Sequence, residues 1–204
     1  MATFRAIEAT AALLRDKLAE RFEHEFGSEF TVKLATPREF AALEASGDPA
    51  LTIFLYQVEE NRDLRNQPRR RELQTGKMTR PLVVDLRFLI TPWAKANDGD
   101  DQDAAALEGA AMLGLALQTL APLGEIVPAS IVAPIYANVF APDDSVQLML
   151  ESLPVEELYR IWDSSELPFR LSIAYRVRVI GIEHETQPGA GPVNQAELVA
   201  GQSS

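Results

Sequence analysis

The sequence predicts an α+β fold, a mixed and mainly antiparallel sheet with helices packed on one face. Two segments, residues 51–58 and 81–91, are rich in the β-branched and aromatic residues that favour strands. A third, residues 168–183, alternates strictly between apolar and charged or polar side chains. Segments with helical periodicity flank them. Strands with one apolar and one charged face are typical of an antiparallel sheet that helices cover on one side only.

The first helix is predicted over residues 4–22, because apolar side chains recur there at spacings of three and four and form one stripe. The members of this stripe are Phe4, Ile7, Ala11, Leu14, Leu18 and Phe22. An Ala/Leu-rich helix is predicted to follow the acidic stretch NDGDDQD and to end near Leu120. A short helix is predicted to begin at Pro154.

The ends of another short helix can be assigned from the stretch TPREFAALEASG. Thr36 is the expected N-cap, Pro37 suits the first helical position, and Glu39 completes a capping box. Gly47 is expected to end the helix, because glycine adopts the left-handed conformation common at that position. The sequence therefore predicts a helix between residues 36 and 47.

One predicted strand is apolar on both faces, whereas the other two have one apolar and one charged or polar face. Residues 51–58 are apolar on both faces and suit a central strand. In residues 81–91 alternate apolar side chains face one way, and Asp85 and Arg87 face the other. In the last strand apolar residues from Phe169 to Val179 alternate with residues of the opposite face, namely Arg170, Ser172, Arg176 and Arg178. Asp85 is therefore expected to pair with an arginine of the last strand.

The chain is predicted to form one folded domain, residues 1–183, followed by a disordered polar tail, residues 184–204. Residues 121–145 contain four prolines and are expected to be irregular. The start of the chain does not have the pattern of a signal peptide, and its apolar runs are shorter than a membrane span. With a net charge of −11, the chain is not expected to bind nucleic acid or membranes. A cytoplasmic protein is the resulting expectation.

The residue types needed for catalysis or metal binding do not form a recognisable pattern. The 204 residues include no cysteine and two histidines, His24 and His184, and no hydrolase or phosphate-loop motif is complete. NDGDDQD, residues 97–103, is acidic like a calcium loop but lacks its glycine and glutamate at the required positions. The sequence therefore predicts no catalytic residue, no cofactor and no metal site, and the protein is not expected to be an enzyme.

One segment is strongly basic although the protein is acidic. Residues 62–80, called the arginine segment below, hold seven basic and two acidic residues, a net charge of +5, which leaves −16 on the rest. Its candidate interface residues are Arg62, Arg65, Arg69, Arg70 and Arg71. The segment has no aromatic residue, unlike most single-strand nucleic-acid surfaces. It is either a solvated loop or a contact with an acidic protein surface, including that of another copy.

Several segments together resemble a known family. The strand end Leu55-Tyr56 is followed by Asn61 and by Leu64-Arg65-Asn66, and Asp85-Leu86 lies in the next strand. Further along come LEGAAMLGL, then Glu156-Glu157-Leu158 with Trp162, and finally Phe169-Arg170-Leu171-Ser172 with Tyr175. In this order and spacing, over residues 3–182, the chain is similar to the N-terminal domain of tail-terminator, or cap, proteins of phage-tail-like contractile injection systems of the virulence-cassette and antifeeding-prophage type.

The resemblance implies a structural role. Such a protein is expected to form a ring of its own copies, a hexamer, on the end of the inner tube and to anchor the last sheath ring. Its partners are then itself, the inner tube protein and the sheath protein, and it assembles in the cytoplasm into a particle that can be released. The arginine segment is expected to contact one of these partners. The alternative is a baseplate or accessory adaptor that binds tube or sheath without forming a ring.

Overall fold

The computed structural model describes residues 2–64, 70–71, 78–79, 82–94, 102–127, 133–142 and 144–182, with backbone alone for residues 70–71, 78–79, 102 and 179–180. Its helices are α1 (Ala6–Phe26), α2 (Pro37–Ser46), α3 (Gln102–Leu120) and α4 (Val155–Asp163). Its strands are β1 (Thr31–Leu34), β2 (Ala50–Glu60), β3 (Arg70–Arg71), β4 (Met78–Thr79), β5 (Leu82–Trp93), β6 (Glu125–Ile126), β7 (Val146–Glu151) and β8 (Ile173–Ile182).

Six strands form one sheet in the order β1-β2-β5-β8-β7-β6. Only β1 and β2 are parallel, and every other neighbouring pair in this sheet is antiparallel. The longest strands, β2, β5 and β8, lie next to one another, and their apolar residues make the centre of the sheet. The predicted mixed, mainly antiparallel sheet is thus confirmed, and residues 51–58 lie in an interior strand as expected.

The larger core lies between one face of the sheet, called the inner face, and the helices α1 and α3. Leu51 and Ile53 of β2, Leu86 and Phe88 of β5, and Tyr175 of β8 are buried there. Burying each such side chain stabilises the fold by about 1.5–3 kcal/mol. The helical side of this core comes from Ala11, Leu14, Leu18, Phe22, Met112 and Ala116. The predicted stripe of α1 is confirmed except at Phe4, which precedes the helix and is 83% exposed.

A smaller apolar cluster, called the aromatic cluster, lies on the opposite, outer face at one end of the sheet. It contains Ala35, Phe40, Leu43, Ala50, Trp93 and Trp162, and it joins α2 and α4 to β2 and β5. The backbone N–H of Thr36 donates to Glu39 Oε2 at 2.7 Å, which is half of the predicted capping box, and Gly47 ends α2 with a φ of 64°. The long helices therefore cover one face, as predicted, and the short ones add a local layer on the other.

Two details differ from the sequence-based prediction. The polar composition of residues 59–80 favours a loop or an extended arm, but β2 continues to Glu60, and β3 pairs with β4 in a separate antiparallel ladder. The last strand begins at Ile173 rather than near Phe169, and the segment before it packs against α4 instead of continuing the strand. There the ring of Phe169 lies 4.7 Å from that of Tyr159 on α4. Residues 184–204, predicted to be a tail, lie outside the described residues.

The stretch Asp103–Leu123, mostly α3, is long and apolar enough by composition to cross a membrane, with a mean hydropathy of 1.4. About a third of this stretch is buried within the protein. Its second half supplies Met112, Ala116 and Leu120 to the inner core, as a core helix of a soluble domain does. Its first half is largely exposed.

Candidate assembly interface

Residues 61–64, where the arginine segment starts, are called the root below. Asn61 fixes this root to the sheet. The Asn61 backbone N–H donates to the carbonyl oxygen of Val83 at 2.9 Å, and its side-chain amide donates to both carboxylate oxygens of Asp85 at 3.0 and 2.9 Å. Its side-chain oxygen accepts the N–H of Leu64 at 3.0 Å. Asn61 is buried, so these bonds are shielded from water. Asn61 therefore sets the direction in which the chain leaves β2.

Asp85 connects this root to the last strand. It is buried, and Arg178 Nε of β8 donates to its Oδ1 at 3.3 Å. Arg178 also contacts the side-chain oxygen of Gln147 on β7 at 3.5 Å. The predicted pairing of Asp85 with an arginine of the last strand is thus confirmed. Because the Asp85 carboxylate is removed from water here, it needs the partly buried guanidinium of Arg178 as its partner.

A second set of charges lies further along the outer face. Arg87 of β5 contacts Glu59 of β2 at 2.9 Å and Glu151 of β7 at 3.3 Å. Arg87 and Arg176 are directly opposite each other in the β5–β8 pair, where two like charges repel. Glu151 lies 3.9 Å from Arg176 and so compensates both arginines. The outer face thus carries a continuous polar network across four strands.

The environment of the outer face shifts the pKa values of Arg87 and of its neighbour Tyr56. Burial alone lowers the pKa of Arg87, but the charges of Glu151 and Glu59 outweigh it and raise that pKa. Burial, followed by the charge of Glu151, raises the pKa of Tyr56 to about 12. The Tyr56 hydroxyl therefore stays neutral and the guanidinium stays charged at neutral pH. A guanidinium that stays charged suits ion pairing rather than proton transfer.

The candidate interface residues themselves are described only in part. Arg62 is exposed beside the fixed root. Arg70 and Arg71 form β3, where only the backbone is described, and Arg65 and Arg69 lie outside the described residues. The acidic stretch and His184 also lie largely or wholly outside them, whereas His24 is on the exposed side of α1, 3.3 Å from Arg21.

The arginine segment and the acidic stretch leave the sheet at opposite ends. The arginine segment connects Glu60 to Leu82, at the end where β2 finishes and β5 starts. The acidic stretch follows Trp93, which pairs with Ala50 at the other end. The β5 strand between these ends spans roughly 35 Å at ~3.3 Å per residue. A segment of charge +5 is therefore attached at one end of the sheet, and a segment that carries four aspartates is attached at the other.

Sequence reasoning missed several residues that organise this face. Glu59 was not singled out, because adjacent acidic residues are common in an acidic chain. Arg170 was assigned only to the outer side of a strand, but its guanidinium stacks on the Trp93 ring at 4.6 Å and pairs with Glu44 at 2.7 Å. The signal that finds Glu59 is the β2–β5 register, which places it opposite Asp85 and diagonal to Arg87.

Replacing Asn61 with alanine is expected to lower the free energy of unfolding by about 1–3 kcal/mol, because buried partners on Asp85 and Leu64 lose their hydrogen bonds. Urea denaturation measures this change. Hydrogen exchange at the Leu64 amide is expected to accelerate, which reports loss of the root itself. Gln57→Ala is the matched control, because Gln57 is an exposed amide on β2, four residues before Asn61, and its side chain donates to Glu59 at 3.4 Å. Equal stability of the two variants contradicts the anchoring role.

Comparison with known proteins gives a consistent result. The family described as the Pvc16 N-terminal domain matches residues 7–196. The fold is similar to the sheath/tube terminator, in its extended state, of the extracellular contractile injection system PVC, with a TM-score of 0.58 and 19% identity over 100% of this chain. The cap of the anti-feeding prophage, described as a tube terminating cap, has a TM-score of 0.48 and 20% identity over 98% of this chain. A search of curated proteins found no match.

This chain is shorter than the solved structures it resembles. It spans 66% of the PVC terminator chain and 62% of the anti-feeding prophage cap chain. At 19% identity the first similarity establishes the fold. The residues quoted for the family resemblance have visible structural roles: Asn61 and Asp85 fix the root, and Trp162 fills the aromatic cluster.

Proposed function

Because the chain belongs to the Pvc16 N-terminal domain family, we propose that it is a structural cap, or terminator, of a contractile phage-tail-like injection particle. It forms a hexameric ring on the end of the inner tube, stops the growth of the tube and anchors the last sheath ring. The role is not catalytic. The observation that carries this proposal is the family match over residues 7–196, together with a fold shared along the whole chain with a sheath/tube terminator.

The distribution of charge supports assembly into a ring. A closed ring needs a heterologous interface, in which two different surfaces of the same chain meet. The sheet has a basic segment joined to one end and an acidic segment joined to the other, so successive copies can meet head to tail with opposite charges facing. Such complementarity mainly sets orientation and partner choice.

The arginine segment is the proposed contact surface within the particle. Its arginines, Arg62, Arg65, Arg69, Arg70 and Arg71, are the proposed contacts with a neighbouring copy, with the tube or with the sheath. A root fixed by Asn61 on a buried network reduces the conformational entropy that the segment loses on binding. Arginine also suits this role because its planar guanidinium pairs with carboxylates in two-point contacts.

The proposal is tested by assembling the particle from its own genes with and without this chain. With the chain present, inner tubes are expected to have one length and sheaths to remain attached. Without it, electron micrographs are expected to show tubes of variable length and detached sheaths. Tubes of unchanged length in both samples contradict the terminator role. Tube-bound protein at fewer copies than a closed ring favours the adaptor alternative.

A further inference from the structure

The first half of α3 presents an apolar surface that the domain itself does not bury. Leu107 is 72% exposed, and its neighbours Ala104, Ala106, Ala110 and Ala111 are also exposed. An amphipathic helix in a monomer normally places charged or polar side chains on such a face. Contiguous exposed apolar surface of this kind marks an interaction site.

A groove runs beside this surface and is called the α3 groove. Ala105, Ala106, Gly109 and Ala110 form its helical wall, and Phe169 and Leu171 form the facing wall. Its volume is about 350 Å³, which is roughly ten times the share of one water molecule in the liquid. Small side chains on the helix let another chain approach closely, and Leu171 is itself 60% exposed. The groove therefore fits one or two apolar side chains.

The chain also carries a side chain suited to such a groove. Phe4 is 83% exposed, and it lies at the end of the sheet opposite the α3 groove. The chain just before it is held in place, because the Ala2 N–H donates to the carbonyl of Gly181 at 2.8 Å and the Thr3 N–H to that of Val139 at 2.9 Å, and α1 begins two residues after it. Ile135, in a segment that contacts the same region through Tyr136, is 69% exposed. A rigidly held, exposed phenylalanine is costly in water and gains by burial.

Charge points to a second copy of this chain as the occupant. The Phe4 end is the end joined by the arginine segment, since Ile182 pairs with both Ala2 and Leu82. The groove end is the one joined by the acidic stretch, and α3 carries Asp103 and Glu108 close to the groove residues in sequence. Arg170 also lines the groove, but its charge is paired with Glu44 at 2.7 Å. The two ends thus match in shape and in charge when one copy follows another.

We propose that Phe4 of one copy inserts into the α3 groove of the next, and that this contact, repeated, closes the ring. The proposal rests on the ring of the proposed function and names the apolar surfaces that make it. The two surfaces differ and lie at opposite ends of the sheet, so the contact is heterologous, as a ring requires. The remaining charges around it set the orientation of approach.

Disulfide trapping tests this contact directly, because the chain has no cysteine of its own. Two single variants, Phe4→Cys and Ala106→Cys, are purified, mixed and mildly oxidised. A disulfide needs Cα atoms within about 4.4–6.8 Å, so only a specific contact between copies forms it efficiently. Gln118→Cys replaces Ala106→Cys in the control, since it is exposed on the same helix about 18 Å further along. We expect at least about tenfold more cross-linked dimer with Ala106→Cys than with Gln118→Cys.

Each outcome decides the question. Dimers of Phe4→Cys with itself indicate a symmetric contact and overturn the proposal, as does equal cross-linking in the control. Ala110→Cys, in the same groove, repeats the test if Ala106→Cys does not fold. A chain that controls tube length but gives no specific cross-link retains the proposed function and loses this interface. A specific cross-link from a chain that leaves tube length unchanged supports the interface and refutes the terminator role.

Discussion

Replacing Trp162 with alanine is expected to lower the free energy of unfolding by about 3–5 kcal/mol. Trp162 is 1% exposed, and its ring centroid lies 5.5 Å from that of Phe40 and 6.3 Å from that of Trp93. Removing the indole leaves a cavity that neither α2 nor α4 can fill, because both short helices are held to the sheet through this cluster. Thermal denaturation should show a fall in melting temperature of about 6–20 °C for a domain of this size.

Two variants separate packing from other causes. Trp162→Phe keeps an aromatic ring, and the indole N–H has no hydrogen-bond partner among the described residues, so its loss costs little. This variant should therefore retain most of the stability. Val155→Ala on the same helix removes an exposed side chain and should leave the melt nearly unchanged. If Trp162→Ala melts like the wild type, the indole does not pack in the cluster and the short helices are held by other contacts.

Much of this fold follows from local signals in the sequence. The spacing of Leu14, Leu18 and Phe22 is enough to predict the buried face of α1, and Thr36 with Glu39 is enough to place the start of α2. These features depend on residues within one or two helical turns of each other. Alternation likewise predicted that Tyr175 is buried on the inner face.

The outer face was harder to predict, because its contacts join residues far apart in the chain. Trp93 and Trp162 meet across a distance of nearly seventy residues, and nothing near either one indicates the other. Asp85 was expected to face outward, and it does, but it is buried and bonded to Asn61, just after β2, and to Arg178 on β8. Alternation predicts which face a residue occupies, whereas burial on that face depends on strand register and on what packs above it.

The arginine segment likewise has one property that the sequence predicts and another that depends on contacts far apart in the chain. Its charge is evident from the sequence, but the surface that it is proposed to meet belongs to another molecule. The structure adds the position of the root and the fact that it is held by Asn61 and Asp85. A basic segment that starts from a fixed root at one end of the sheet is suited to meeting an acidic surface.

Changing Arg69, Arg70 and Arg71 together to glutamate is expected to abolish ring formation or tube binding and to leave the fold nearly intact. Exposed charges contribute little to stability, about 0–1 kcal/mol each. At an interface with an acidic surface the same change places like charges together, which costs several kcal/mol and lowers affinity by about a hundredfold or more. The mass of the assembled species and the fraction sedimenting with inner tubes measure the loss, and urea denaturation verifies the fold.

The matched control is the triple change of Lys17, Arg38 and Arg160 to glutamate, which alters net charge equally at half-exposed or exposed positions outside the segment. If assembly depends on this segment, only the first variant fails, because net charge alone is the same in both. Assembly of the wild type should also weaken with salt, since charges are screened beyond about 10 Å at 0.1 M. If the variant changed at Arg69, Arg70 and Arg71 assembles as well as the wild type at every salt concentration, the segment is a solvated loop. The ring would then have to be closed by apolar contacts such as Phe4 in the α3 groove, which salt does not weaken.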